Sequence, residues 1–118
     1  MSEQPLIPLG QAKQFSLGEE TQFAANGIVS RTVLRAPHAR VVLFGFAAGQ
    51  ELTEHSTPRH ALVQIISGSC EMAVAGTSHQ LKTGDVLYMP PGAPHALTAT
   101  EACGMLLTLF EKAPEVLA

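Results

Sequence analysis

Turn signals bracket a short apolar run at residues 84–95, GDVLYMPPGAPH, and the same alternation of turn and strand recurs along the chain. Gly84 and Asp85 predict a tight turn, residues 86–89 a strand, and the prolines around Gly92 a second, rigid turn. Short strands separated by turns at roughly 8–12 residue spacing are typical of antiparallel sandwiches and barrels. No helical periodicity persists long enough to compete, so the sequence predicts an all-β, antiparallel fold.

The predicted strands are alternating or continuous apolar runs that end at Gly or Pro signals. They cover residues 28–36, 40–47, 61–67, 70–75, 78–82, 86–89, 95–100 and 104–110. Residues 48–51 are predicted to form a turn, which leaves Glu51 and Glu54 on a loop before His55.

The chain is predicted to form one domain, because 118 residues with 46% apolar content suffice for a hydrophobic core. An N-terminal arm (1–27), with at most one strand, precedes a single barrel domain (28–112) and a C-terminal tail (113–118). The arm is apolar enough to need a surface to pack on, and open sheet edges need covering. A homodimer that uses this arm is therefore predicted.

Charge and hydropathy argue against nucleic-acid and membrane partners. The net charge is −3, and the seven Lys and Arg residues are scattered along the chain. No stretch approaches the roughly 20 apolar residues of a membrane span, and the N-terminus lacks a signal-peptide pattern. The sequence predicts a cytoplasmic protein in which Cys70 and Cys103 are buried, reduced thiols. A disulfide or a catalytic thiol is the alternative, and it requires a proximity that sequence does not show.

Two groups of residues keep a fixed spacing around two histidines. In the first group the residues, with the gaps between them, are Gly49, five residues, His55, one residue, Thr57, three residues, Ala61, six residues and Gly68. In the second group they are Gly84, five residues, Pro90, one residue, Gly92, two residues, His95, three residues and Ala99. The glycines permit tight turns, and Pro90 with Gly92 aims His95 toward the interior.

These spacings resemble the two motifs of the cupin superfamily, in particular its small single-domain, RmlC-like members of the cupin 2 type. The resemblance implies a jelly-roll barrel, the double-stranded β-helix. It also implies an interior site in which three imidazoles and one carboxylate hold Fe, Mn, Ni, Zn or Cu with open positions left for substrate. His55 and His95 stand at ligand positions, whereas Thr57 and Ala61 replace a histidine and the glutamate. The implied metal site is therefore degenerate, and it holds a divalent metal weakly or not at all.

Strand parity predicts which residues near the two histidines line this site. Residues 55, 57 and 61 share parity, so on one strand they would face the same side, with Thr57 and Ala61 lining the pocket. His60 has the opposite parity and is a candidate replacement ligand if a bulge near Pro58 re-aims it. Gln64 is the other candidate, but its parity relative to Ala61 points it outward and favours a hydrogen bond to a neighbouring strand or a partner chain. Tyr88 and Met89 precede the Pro90 turn, and both are pocket candidates, since one of two consecutive strand residues must face inward.

Two functional hypotheses remain open. The first is a binding module that holds a small organic molecule, with or without a weakly bound divalent metal, and the missing ligands favour it. The second is a metal-dependent enzyme of dioxygenase, isomerase or lyase type, and the retention of His55 and His95 favours it. A metal-free, epimerase-like enzyme would need a carboxylate beside a histidine base and Tyr88 as acid, and the sequence places no carboxylate there.

Overall fold

A computed structural model of the chain describes residues 4–111. Within this range the backbone forms one short helix, α1, and nine strands. The helix is Leu17–Glu20, and the strands are β1 (Ile28–Ala36), β2 (Ala39–Phe46), β3 (Glu51–His55), β4 (His60–Ser67), β5 (Ser69–Val74), β6 (Thr77–Lys82), β7 (Val86–Met89), β8 (His95–Ala99) and β9 (Cys103–Phe110).

The strands form two antiparallel sheets. The five-stranded sheet has the order β1-β2-β9-β4-β7, and the four-stranded sheet has the order β3-β8-β5-β6. Neighbours in space are mostly distant in sequence, as in a jelly roll, and every pairing is antiparallel. The predicted all-β, antiparallel double-stranded β-helix is confirmed.

Alternation along the strands places the core between the two sheets. On β4, Ala61, Val63 and Ile65 are buried, whereas the intervening side chains are partly exposed. Successive side chains of a strand point to opposite faces, so one pattern of alternation fills the core and leaves the other face outside. Phe46, fully buried, stacks on Phe44 with ring centroids 5.5 Å apart and adds the largest buried side chain.

The N-terminal arm packs on its own chain. The amides of Leu6 and Ile7 donate to the carbonyls of Thr32 and Val33 on β1, at 3.0 and 2.8 Å. The segment 4–27 contains the single helical turn α1 and no strand, where at most one strand was predicted. Part of the surface that the arm was expected to find on a partner is thus supplied by the arm's own sheet.

The predicted strands agree closely with those observed, except at β3. The bounds of β1 and β7 are those predicted, and the other predicted strands differ by one residue at an end or at both. Residues 51–55 were predicted as turn and loop but form β3, an edge strand. The strand was not predicted because Leu52 is its only apolar residue, so it lacks the apolar alternation of a strand. In the structure its other four residues are exposed. The predicted tail, 113–118, lies outside the described residues.

No helix among residues 4–111 is long and apolar enough to cross a membrane.

Candidate functional site

A pocket lies between the two sheets and has a volume of about 60 Å³. Both sheets contribute to its walls, because the inward-facing positions of seven strands converge there. Its lining residues are Phe44, Leu52, His55, Val63, Met72, Met89, His95, Leu97, Met105 and Leu107.

His55 and His95 meet at this pocket. They are register partners on β3 and β8, and their rings lie edge to face with centroids 4.3 Å apart. His95 is 8% exposed, whereas His55 is exposed on the edge strand. The structure thus brings together the two histidines that the sequence analysis selected.

A bulge in β3 turns His55 toward the pocket. Leu52 pairs with Leu97 and His55 with His95, so two residues of β3 oppose the single residue Ala96. Without this extra residue, side chains three positions apart on a strand would face opposite sides. The bulge thus places Leu52 and His55 on the same, pocket-lining face.

Main-chain carbonyls fix the tautomer of both rings. Nδ1 of His55 lies 2.8 Å from the carbonyl oxygen of Thr53, and Nδ1 of His95 lies 3.0 Å from that of Ala93. A carbonyl only accepts, so each Nδ1 must carry the proton and each neutral ring keeps its lone pair on Nε2. Metal-binding histidines are commonly oriented by such a bond at the other ring nitrogen. The site therefore offers two nitrogen lone pairs among apolar walls.

Thr57 and Ala61 were predicted to share one strand face with His55 and to line the pocket, and this prediction is wrong. β3 ends at His55, and Thr57 lies in the loop that follows, where its Oγ1 accepts from the amide of Arg59 at 3.2 Å. Pro58 lacks an amide hydrogen and is compatible with this loop. Ala61 belongs to β4 in the opposite sheet and is 1% exposed in the core, but it does not line the pocket.

Met89 lines the pocket, and Tyr88 does not. Tyr88 is 47% exposed on the outer face of β7, which corrects the expectation that it lines the pocket. Its hydroxyl lies 2.6 Å from Nδ1 of His60, and the ring of His60 stacks on Phe110 with centroids 4.8 Å apart. The alternation of β4 thus turns His60 outward, because no bulge near Pro58 re-aims it.

Gln64 lies on the same outer face of β4 as His60, and neither residue lines the pocket. Glu51 and Glu54 are exposed on β3 and also lie outside the lining. Strand alternation thus places His60 and Gln64, the two candidate replacement ligands, away from His55 and His95.

The residues present do not match the donor set that the family resemblance implies for a divalent metal. Within residues 4–111, no three His, Cys, Asp or Glu side chains are grouped closely enough to hold a metal ion. The pocket provides two imidazoles and no carboxylate. Mn(II) favours oxygen ligands, and the usual non-heme Fe(II) site adds a carboxylate to two histidines, whereas this lining has no carboxylate.

Cys70 and Cys103 face each other from opposite sheets in the core. Both are free thiols and almost fully buried. A hydrogen bond between them lowers the pKa of Cys70, and that bond together with burial raises the pKa of Cys103. They do not line the pocket, so they add nothing to its donor set.

Sequence reasoning missed most of the lining, including Met72 and Met105. The available signal was strand parity: Met72 alternates with Cys70 on β5, and Met105 with Cys103 on β9. Parity identifies the inward positions of each strand, but which of them share a cavity depends on the pairing of distant strands.

Comparison with known proteins gives a consistent family. The family model described as cupin domain matches residues 42–109. A conserved protein of unknown function from Streptococcus pyogenes is 32% identical over 97% of this chain and 98% of its own, with a TM-score of 0.83. A cupin 2 conserved barrel domain protein from Leptotrichia buccalis is also 32% identical, over 82% of this chain and 47% of its own, with a TM-score of 0.79. A cupin superfamily protein from Desulfitobacterium hafniense shares the fold at 22% identity, over 88% of this chain and 95% of its own, with a TM-score of 0.80. Comparison with curated proteins gives no match.

Proposed function

This chain belongs to the cupin family, and we propose that the pocket between its two sheets binds a small organic molecule. One observation carries the proposal: two imidazoles with free Nε2 lone pairs stand in an otherwise apolar, partly open pocket. Small-molecule sites typically combine apolar walls with a few polar groups that fix orientation.

The chemistry of the lining defines the ligand class. Nε2 of each neutral imidazole accepts hydrogen bonds, so the ligand should carry an O–H or N–H donor. The remaining lining is aliphatic, aromatic and thioether, so the rest of the buried part should be apolar. A volume of about 60 Å³ admits only a small group, so any larger part of the ligand must lie outside the pocket, where the exposed His55 leaves room for it.

Phenol and toluene test this proposal because they have nearly the same shape and differ in one hydroxyl donor. Titration of the protein, followed by chemical-shift changes in residues lining the pocket, should give tighter binding for phenol. In His95→Leu the preference for phenol should shrink or reverse, because the deeper acceptor is gone. Gln64→Leu, on the outer face of β4, is the matched control and should keep it. Equal affinity for both compounds in the wild-type protein, or no shift at the pocket with either, would contradict the proposal.

A metal-dependent enzyme of dioxygenase, isomerase or lyase type is the second candidate. The oriented Nε2 atoms of His55 and His95 favour it, since this is how imidazole ligands are presented. A divalent metal would have to complete its coordination with water or substrate, so its binding would be weak. Elemental analysis of purified protein tests this candidate, and a stoichiometric divalent metal would favour it over the binding module.

We also propose a homodimer and a cytoplasmic location. Exposed apolar side chains on the edge strand β7, Val86 at 56% and Tyr88 at 47%, support a partner surface. The free state of both buried cysteines supports a reducing compartment. Nucleic acid and membrane stay outside the proposed partners because the basic residues are scattered.

A further inference from the structure

We propose that the pocket is a site for a soft monovalent metal ion, Cu(I), held by the two imidazoles and by methionine sulfur. The chain has four methionines, and the three within the described residues, Met72, Met89 and Met105, all line this one pocket. Each is 2% exposed. Three thioethers and two imidazoles therefore surround a single small cavity.

These five side chains come from five different strands. His55 and His95 lie on β3 and β8, and the methionines lie on β5, β7 and β9. Met72 and the two histidines belong to the four-stranded sheet, whereas Met89 and Met105 belong to the five-stranded sheet. An ion in the cavity would thus have nitrogen donors on one side and sulfur donors on both.

Ligand softness selects the ion. Thioether sulfur favours Cu(I), and imidazole also suits copper, whereas Mn, Mg and Ca favour the carboxylate and carbonyl oxygens that this lining lacks. Charge acts in the same direction. A divalent cation among apolar side chains without a carboxylate counter-charge has a large desolvation cost, and a monovalent ion has a much smaller one.

The imidazoles are prepared for this role. The carbonyls of Thr53 and Ala93 hold the proton on Nδ1 of each ring, which leaves Nε2 as the donor atom. The mismatch with the three-imidazole, one-carboxylate set is thus explained by a different metal class, in which sulfur replaces the missing ligands. This inference shares the pocket with the organic-ligand proposal but does not depend on it, because phenol is titrated into metal-free protein.

Anaerobic competition against a chromophoric Cu(I) chelator measures the affinity, with Zn(II) and Ni(II) titrated in parallel. One Cu(I) per chain is expected, bound far more tightly than either divalent ion. Met89→Leu and Met105→Leu preserve side-chain volume and remove only the sulfur, so the fold should persist. Each should weaken Cu(I) binding by about tenfold or more, since even outer partners of metal ligands contribute that much. His95→Ala should weaken it at least as strongly. Leu81→Met, in the core but outside the pocket, is the matched control and should change nothing.

A second readout distinguishes sulfur donors in the pocket from thiols. Ag(I), equally charged and equally soft, should shift the methyl carbon resonances of Met72, Met89 and Met105 in the wild-type protein. Cys70 and Cys103 are also soft donors, so the Cys70→Ala, Cys103→Ala double variant should keep full Cu(I) affinity. The proposal is overturned if Cu(I) does not bind, if the methionine variants bind it as well as the wild type, or if binding disappears with the cysteines.

Discussion

The carbonyl group of Gln22, in the N-terminal arm, occupies the place where Gly45 of β2 would carry a side chain. A Cβ added at position 45 would overlap that carbonyl group. It would also lie 3.3 Å from Cδ1 of the Phe23 ring. The arm therefore lies directly on the backbone of β2, and this approach depends on the absence of a side chain at residue 45.

Gly45→Ala should displace the arm. The methyl group clashes with backbone and not with the flexible end of a side chain, so the arm must move, at a cost of about 1–3 kcal/mol in the free energy of unfolding. Trypsin cleavage after the exposed Lys13 should become faster. Gly18→Ala is the control, because its Cβ would meet only the Ser16 hydroxyl at an ordinary 3.8 Å. Unchanged cleavage and melting temperature in Gly45→Ala would refute this account of the arm.

Ala61→Glu should lower the melting temperature strongly in the absence of metal. Ala61 is 1% exposed between Met89 and Leu109 on the neighbouring strands, so the new carboxylate would be buried without a partner, at a cost of roughly 3 kcal/mol or more. Gln64→Glu places a carboxylate on the outer face of the same strand and should have little effect. Differential scanning fluorimetry compares the two variants, and an equal loss in both would contradict the inward placement of Ala61.

The Thr57→His, Ala61→Glu double variant should bind Ni(II), Mn(II) or Fe(II) more tightly than the parent, because it restores the residue types of the family pattern. Calorimetry measures the change. Thr57 lies in the loop after β3, whereas Ala61 lies on β4, so the two added ligands start from different elements. Ala61→Glu alone therefore serves as the comparison, and if neither variant gains affinity, these positions do not converge on His55 and His95.

Cys70 and Cys103 should be inert in the native protein. Both are almost fully buried, so a reagent cannot reach either sulfur. The hydrogen bond between them raises the pKa of Cys103 and lowers that of Cys70, so burial is what keeps Cys70 unreactive. An aromatic disulfide reagent should label neither residue in buffer and both in denaturant. Rapid labelling of one thiol in the folded protein would revive the catalytic alternative considered from the sequence.

Glu111 should make a small, pH-dependent contribution to stability. A hydrogen bond from His38, 2.9 Å away, lowers the pKa of this carboxyl below its ordinary value of 4.5, with Arg59 adding to the effect. A lowered pKa in the folded state stabilises the protein above the ordinary value, and the contribution is lost as pH falls through the lowered one. The melting temperature of the wild type should thus exceed that of Glu111→Gln at pH 5–6, and the two should converge in more acidic buffer. Both side chains are exposed, so the difference is expected to be small.

A homodimer is predicted in solution. Light scattering at micromolar concentration should give twice the mass of one chain, and Tyr88→Lys, on the exposed face of β7, should shift the mass toward one chain. The Ser78→Lys variant, at an exposed position of β6 in the four-stranded sheet, adds the same single charge and is the control. A single-chain mass for the wild type would contradict the prediction.

Sequence predicted the features that depend on local signals. Turn signals such as those at Gly84 and Gly92, together with apolar alternation as in β1, located most of the strands. Motif spacing selected His55 and His95 as candidate site residues. The features that depend on pairing were missed. β3 lacks an apolar pattern, and its bulge at Thr53 and Glu54 becomes visible only against β8. The convergence of three methionines requires knowing which strands face each other across the core, which depends on contacts far apart in sequence.

Two features of β3 act on His55 in different ways: strand register sets where its ring lies, and the Thr53 carbonyl sets which ring nitrogen carries the proton. If Glu54 were deleted, Leu52 and His55 would be two residues apart, and a regular ladder would still set them opposite Leu97 and His95. If straightening the strand also moved the Thr53 carbonyl away from Nδ1 of the ring, the proton would be free to move to Nε2. A chain one residue shorter could thus keep both histidines in place and still move the lone pair of one ring from Nε2 to Nδ1. A deletion of one residue would thus remove one of the two Nε2 acceptors, although a comparison of the ligand residues alone would show both histidines retained.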